Sequence, residues 1–132
     1  MIGAEGPEGD AGAAGSDGLN GATKFTFMLE GSVTTGTGAI RLYNDTGRSL
    51  TIVAARATLS TAASSGATTI DVNINGSTIL LSGNRPSIAA GGVTAVSTTI
   101  QTPSLTNGQY ITVDVDAAGT GADTLVVEVT AQ

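Results

Sequence analysis

Glycine returns at every third position near the N-terminus, at Gly3, Gly6, Gly9, Gly12, Gly15, Gly18 and Gly21. The triplets read Gly-Ala-Glu, Gly-Pro-Glu, Gly-Asp-Ala, Gly-Ala-Ala, Gly-Ser-Asp, Gly-Leu-Asn and Gly-Ala-Thr. Three chains wound together leave room at their common axis for a hydrogen side chain only, so this period predicts a collagen-like triple helix. It therefore predicts a homotrimer, with a stem over residues 1–23 and a head over residues 24–132. A flexible linker also uses glycine, but it does not need glycine in register. If one residue in three were glycine at random, seven in-phase hits would occur about once in 2000 trials. The stem has two weaknesses. Pro7 is its one proline, so little polyproline geometry is pre-set. Glu5, Glu8, Asp10 and Asp17 also bring like charges together three times over. Such a stem is expected to rely on the heads, or on a surface it docks against, to hold its strands.

Composition narrows the function classes. The 132 residues contain no cysteine and no histidine. There is thus no disulfide framework, no thiolate nucleophile, and neither the usual general base nor the usual zinc ligand. No catalytic residue, cofactor site or metal site stands out, and an enzyme is not expected. The net charge is -6, with basic residues only at Lys24, Arg41, Arg48, Arg56 and Arg85. Scattered cations on an acidic chain make a poor nucleic-acid binder. No apolar run approaches the roughly 20 residues that span a bilayer, so no membrane partner is expected. The N-terminus lacks the charged-then-apolar order of a signal peptide. That fits assembly in a cytoplasm.

The head reads as all-β. Phe25, Phe27 and Leu29 alternate with polar or flexible neighbours, the period of a half-buried strand. Further strands are expected at Ile40–Tyr43, Leu50–Leu59, Ile70–Ile74, Ile79–Leu81, Val93–Gln101, Ile111–Asp116 and Leu125–Thr130. Asn75-Gly76 is the strongest hairpin signal, because a type I′ turn needs positive φ at both central residues. Loops are expected at Gly31–Gly38, Thr61–Gly66, Gly83–Gly92 and Ala117–Ala122. About eight short strands with turn signals and no helical period predict an antiparallel β-sandwich, most simply a jelly roll. Phe25, Phe27, Tyr43 and Tyr110 are expected in the core or along a trimer seam.

Some residues suggest sites, each with a plainer reading. Asp114 and Asp116 are two apart on one strand and share a face. With Asp71 or Asp123 they have the chemistry of an oxygen-ligand calcium site. The solvated face of an amphipathic strand accounts for the same pattern and is preferred. Asn44-Asp45-Thr46 and Asn75-Gly76-Ser77 match the glycosylation triplet, but both coincide with turns, and turn chemistry is the preferred account. Arg56 sits in an apolar strand, where its stem can snorkel or its head can pair with a carboxylate across a subunit contact.

Several stretches carry a family resemblance. They are Tyr43–Ile52 (Tyr-Asn-Asp-Thr-Gly-Arg-Ser-Leu-Thr-Ile), Asp71–Ile79, Asn84–Gly91 and Gly108–Asp116. With them, residues 25 to 130 resemble a domain of bacteriophage virion proteins, especially of phages that infect actinobacteria. The resemblance implies a trimeric β head following collagen-like repeats, partnered by other capsid or tail proteins and located on the virion surface. Longer members carry an N-terminal attachment module, whereas only Met1 and Ile2 precede this stem. That departure favours a capsid decoration or head-fibre protein at three-fold lattice positions, where trimer and site symmetry match. A tail fibre or minor tail protein binding a host receptor is the alternative, and a bacterial or spore-surface collagen-like protein is the next.

Overall fold

The computed structural model describes residues 21–132. The stem glycines Gly3, Gly6, Gly9, Gly12, Gly15 and Gly18 lie outside the described residues, and only Gly21 falls within them.

Alternating apolar side chains build two antiparallel sheets. The strands are β1 (Thr23–Ser32), β2 (Leu42–Tyr43), β3 (Leu50–Thr61), β4 (Thr68–Ile74), β5 (Ser77–Thr78), β6 (Ser87–Ile88), β7 (Thr94–Ser97), β8 (Ser104–Leu105), β9 (Tyr110–Ala117) and β10 (Asp123–Ala131). The first sheet runs β1-β10-β3-β7, with β8 also on β3; the second runs β2-β9-β4-β5, with β6 also on β4. The pairs nest. β1 takes β10, β2 takes β9, β3 takes β7 and β8, and β4 takes β5 and β6. This is a long hairpin ribbon rolled until β10 meets β3 and β9 meets β4. Its strand order is that of a jelly roll. Seven of the eight expected strands overlap observed ones; Ile79–Leu81 falls between β5 and β6, and β6 and β8 are short strands in stretches expected as loop or turn.

The core lies between the sheets. Phe25, Phe27, Leu125, Val127 and Val129 point inward from the first sheet; Ile70, Val72, Ile111 and Val113 point inward from the second. Burying an aliphatic side chain of this kind contributes roughly 1.5–3 kcal/mol. Phe25 and Phe27 are buried in this core. Tyr43 and Tyr110 lie outside the core, with Tyr43 47% exposed and Tyr110 half-buried. Their hydroxyl-bearing rings meet at a tilt on the surface, so of the two expected placements only the core is excluded.

Three boundaries differ from the periodicity reading. Ladder pairing after the Asn75-Gly76 turn ends at Thr78. Ile79 and Leu80 are both 1% exposed, and two successive inward side chains are incompatible with strand alternation. Pairing of the Val93–Gln101 run is confined to Thr94–Ser97, after which the chain crosses so that Gln101 N donates to the Ile79 carbonyl. In β3 the register slips where Thr130 faces Ala54 and Ala131 faces Ile52. Val53 is the extra residue of that bulge, which is why both Ile52 and Val53 have cover.

The two ends of the sandwich differ in chemistry. One end gathers the root of β1, the 44–49 loop, the 75–76 turn, the 106–109 loop and Gln132. It is tied by Asn44 N to Gln109 O, Asn75 N to Tyr110 O, and Thr51 N to Gln132 O. The opposite end gathers residues 31–36, 62–67, 89–92 and 118–122, tied by Val33 N to Ala122 O, Ser64 N to Thr120 O, and Gly91 N to Ala63 O. These four loops consist of Gly, Ala, Ser, Thr and Val alone.

Candidate functional site

Chemistry-bearing side chains concentrate on the outer face of the second sheet. Alternation in β4 sends Ile70, Val72 and Ile74 inward and Asp71 and Asn73 outward. In β9 it sends Ile111, Val113 and Val115 inward and Tyr110, Thr112, Asp114 and Asp116 outward. The register places Asp71 directly opposite Asp114 and Asn73 opposite Thr112.

Asp114 and Asp116 share a face, as their spacing predicts, but each carboxylate is already engaged. Asp114 accepts from Gly38 N and from Asn73 Nδ2, both at 2.9 Å. Asp116 accepts from Arg85 Nη1 at 2.9 Å. Arg85 reaches back to Asp71 as well, with Nε 3.3 Å from Oδ1; this Nε is enclosed and has no aligned hydrogen bond. Asp71 Oδ1 also accepts from Val72 N at 2.8 Å and Thr78 Oγ1 at 2.7 Å. Burial pushes the Asp71 carboxyl above its usual range, against the opposing pull of Thr78, Arg85 and Val72 N.

The expected solvated face is therefore only partly solvated. Asp71, Asn73 and Thr112 are 5%, 6% and 8% exposed. Asp123 stands apart at the start of β10, where its Oδ1 accepts from Thr124 Oγ1. Asp71 and Asp116 converge on the Arg85 guanidinium, and among the described residues no group of three metal-ligating side chains forms. The arrangement is an ion-paired clasp that fastens the Arg85 loop to the sheet.

Beside the clasp lies a second cluster. Tyr43 and Tyr110 face each other across β2 and β9, with ring centroids 5.5 Å apart and planes tilted by 54°. The Arg41 guanidinium sits 4.6 Å from the Tyr110 ring centroid. A shallow recess of about 290 Å³ opens next to it, lined in part by Gly38, Gly76 and Thr112. This cluster stands at the end of the head where β1 begins. The two-residue β2 gives too little periodicity to tell the face of Tyr43, and Tyr110 stands at the first position of β9, next to a turn.

Both triplets for glycosylation are turns. Asn44 is fully buried, and its amide donates to Arg48 O and Leu105 O while its oxygen accepts from Thr46 N. That amide has no free hydrogen. Asn75 adopts φ 49° and Gly76 φ 87°, the positive pair that a type I′ turn requires. Arg56 faces Glu128 in register and donates from Nη1 to Thr94 Oγ1 at 2.9 Å.

Each side of the sandwich is open. A cleft of about 440 Å³ runs beside β1, between that strand and the 33–40 segment. A second of about 360 Å³ lies beside β7, bordered by residues 83–87. Among the described residues no helix is long and apolar enough to cross a membrane.

No protein-family model matches the chain, and no curated protein matches it. Among solved structures the chain is similar to the capsid of Ralstonia phage GP4, at a TM-score of 0.49 and 16% identity, over 86% of this chain and 84% of that one. It is also similar to the capsid asymmetric unit of cyanophage Pam1, at a TM-score of 0.48 and 14% identity, over 91% of this chain and 90% of that one.

Proposed function

We propose that this chain is a non-enzymatic structural protein of a bacteriophage virion, a homotrimer that decorates the capsid surface or forms a short head fibre. The stem period, the jelly-roll head and the sequence resemblance to virion proteins support this reading together. Three stems wound on one axis bring three heads side by side, and a trimer matches three-fold positions of a shell. Such a protein stabilises the particle by adding buried interface and by binding the assembled state alone.

The observation that carries the decoration reading over the tail-fibre alternative is the polarity of the head. The root of β1 and the exposed Tyr43, Tyr110 and Arg41 occupy one end. The four loops at the other end hold neither an aromatic nor a charged residue. If the stem points toward the particle, the outward end offers small uncharged side chains. Receptor binding draws on aromatic and arginine anchors, which lie at the stem end instead. Tyr43 and Tyr110 then surround the stem root, where three copies meet.

The test is immunogold labelling of intact particles of the encoding phage with serum against residues 24–132. Label spread over the shell is the expected outcome. Label confined to the tail overturns the decoration reading in favour of the fibre, and absence from particles overturns a virion role.

A further inference from the structure

Among the described residues the first sheet has two free edges, and exposed apolar side chains lie along them. Among the described residues β1, ten residues long, pairs with β10 alone and β7 pairs with β3 alone. Met28 on β1 is 54% exposed, with Ile40 across the adjoining cleft at 45%. At the other edge Val93 and Val96 are each 46% exposed, and Val96 borders an open cleft. An unpaired strand edge flanked by apolar side chains is a template for another strand, and folded proteins normally cover it.

We infer that these two edges are the complementary halves of the contact between copies of this chain: β1 of one copy lies against β7 of the next. The inference rests on the trimer reading above. Four observations lead to it. The glycine-period segment ends directly at β1, so gathering three such segments brings three β1 strands close to a common axis. Closed three-fold rings are built from heterologous contacts, so an edge must meet a different surface on its neighbour rather than itself. Successive strands of this sheet alternate in direction across β1-β10-β3-β7, so β1 and β7 run oppositely. Copies standing in the same orientation around the axis therefore present these two edges antiparallel, as a ladder requires. Finally, the register carries Met28 through Val126 and Thr58 to Thr94, so Met28 and Val96 project from one face about two residues out of step. That offset is small enough for the two to pack together.

The absence of cysteine makes a clean test. Cysteine is introduced in pairs into the full chain, at Val96 with Thr26, Met28 or Glu30, to sample the register. All four positions are exposed or partly so, and circular dichroism verifies folding. Oxidation at low protein concentration follows, with chain number measured beforehand by sedimentation equilibrium. A disulfide needs Cα atoms within about 7 Å. Within one copy β1 and β7 are three strand spacings apart, about 14 Å, so bridging inside a chain is barred. The expected result is a trimer by sedimentation and, for at least one pair, covalent dimers and trimers as the main product, absent from each single variant. Trimers without covalent ladders from any pair overturn the edge assignment and leave the trimer reading standing. Trimers in which Met28→Cys alone links copies overturn it in favour of β1 against β1. A monomer overturns both readings.

Discussion

The side-chain amide of Asn44 donates to the carbonyl oxygen of Leu105 at 2.9 Å, joining the 44–49 loop to β8 across 61 residues of chain. Asn44 is fully buried and also holds Arg48 O and Thr46 N. Asn44→Ala removes both bonds that the buried amide donates and the one that it accepts from Thr46 N, and frees the loop that feeds β3. The expected loss is about 2–4 kcal/mol, read from chemical denaturation. Asn44→Asp is expected to lose a similar amount, because a carboxylate cannot donate to Leu105 O.

Asp71 gives the head a distinctive acid response. Burial raises its folded-state pKa above the usual 3.8. The native state thus keeps a proton at pH values where the unfolded chain has lost it. Its contribution to stability is fully present below 3.8 and declines as pH rises through the raised value. Asp71→Asn keeps an acceptor for Thr78 and removes the titration. The stability of the wild type minus that of this variant, followed by denaturation from about pH 3 to pH 7, is expected to grow on acidification and level off below the unfolded value. The opposite slope would mean that Arg85 outweighs burial.

Gly76 holds φ at 87° at the second position of the Asn75-Gly76 turn. A side chain there meets the steric penalty of left-handed backbone. Gly76→Ala is expected to cost about 1–2 kcal/mol. The loss should appear as a lower denaturation midpoint with an unchanged slope.

Gly38 lies flat on β9, and a Cβ at that position would overlap the Val113 carbonyl oxygen. Gly38→Ala is therefore expected to lift the 33–40 segment from the sheet rather than unfold the head. The reporter is the Gly38 amide hydrogen, which Asp114 accepts at 2.9 Å. Its exchange should accelerate at least tenfold in the variant while amides of β10 stay protected.

Much of the architecture was legible because alternation is local. The runs Phe25–Leu29, Ile70–Ile74, Ile111–Val115 and Leu125–Val129 announce their inward faces, and all four lie where the pattern puts them. Asn75-Gly76 announces its turn for an equally local reason. What resisted reading depends on partners distant in the chain. Asp71 looks like a solvated residue until Arg85 and Thr78 are folded over it. Tyr43 reads as core or seam until the two-residue β2 places it on the outer face beside Tyr110. Ile79 and Leu80 look like strand, yet both point inward where the chain leaves the ladder. Asp114 and Asp116 do share a face, but pairing with Gly38, Asn73 and Arg85 is not a property of their spacing.

The nesting of the ribbon has a kinetic side. β1 pairs with β10, so Lys24 waits for Thr130. Synthesis delivers β1 first and its partner last, and the long loop between them must close before that pair rewards it. Throughout translation β1 has two open edges, next to the segment that would gather three chains. If neighbouring nascent chains meet through that segment, their β1 strands are held together before any head is complete. Assembly order, rather than final stability, is then what decides whether each β1 closes onto its own β10 or onto a neighbour's.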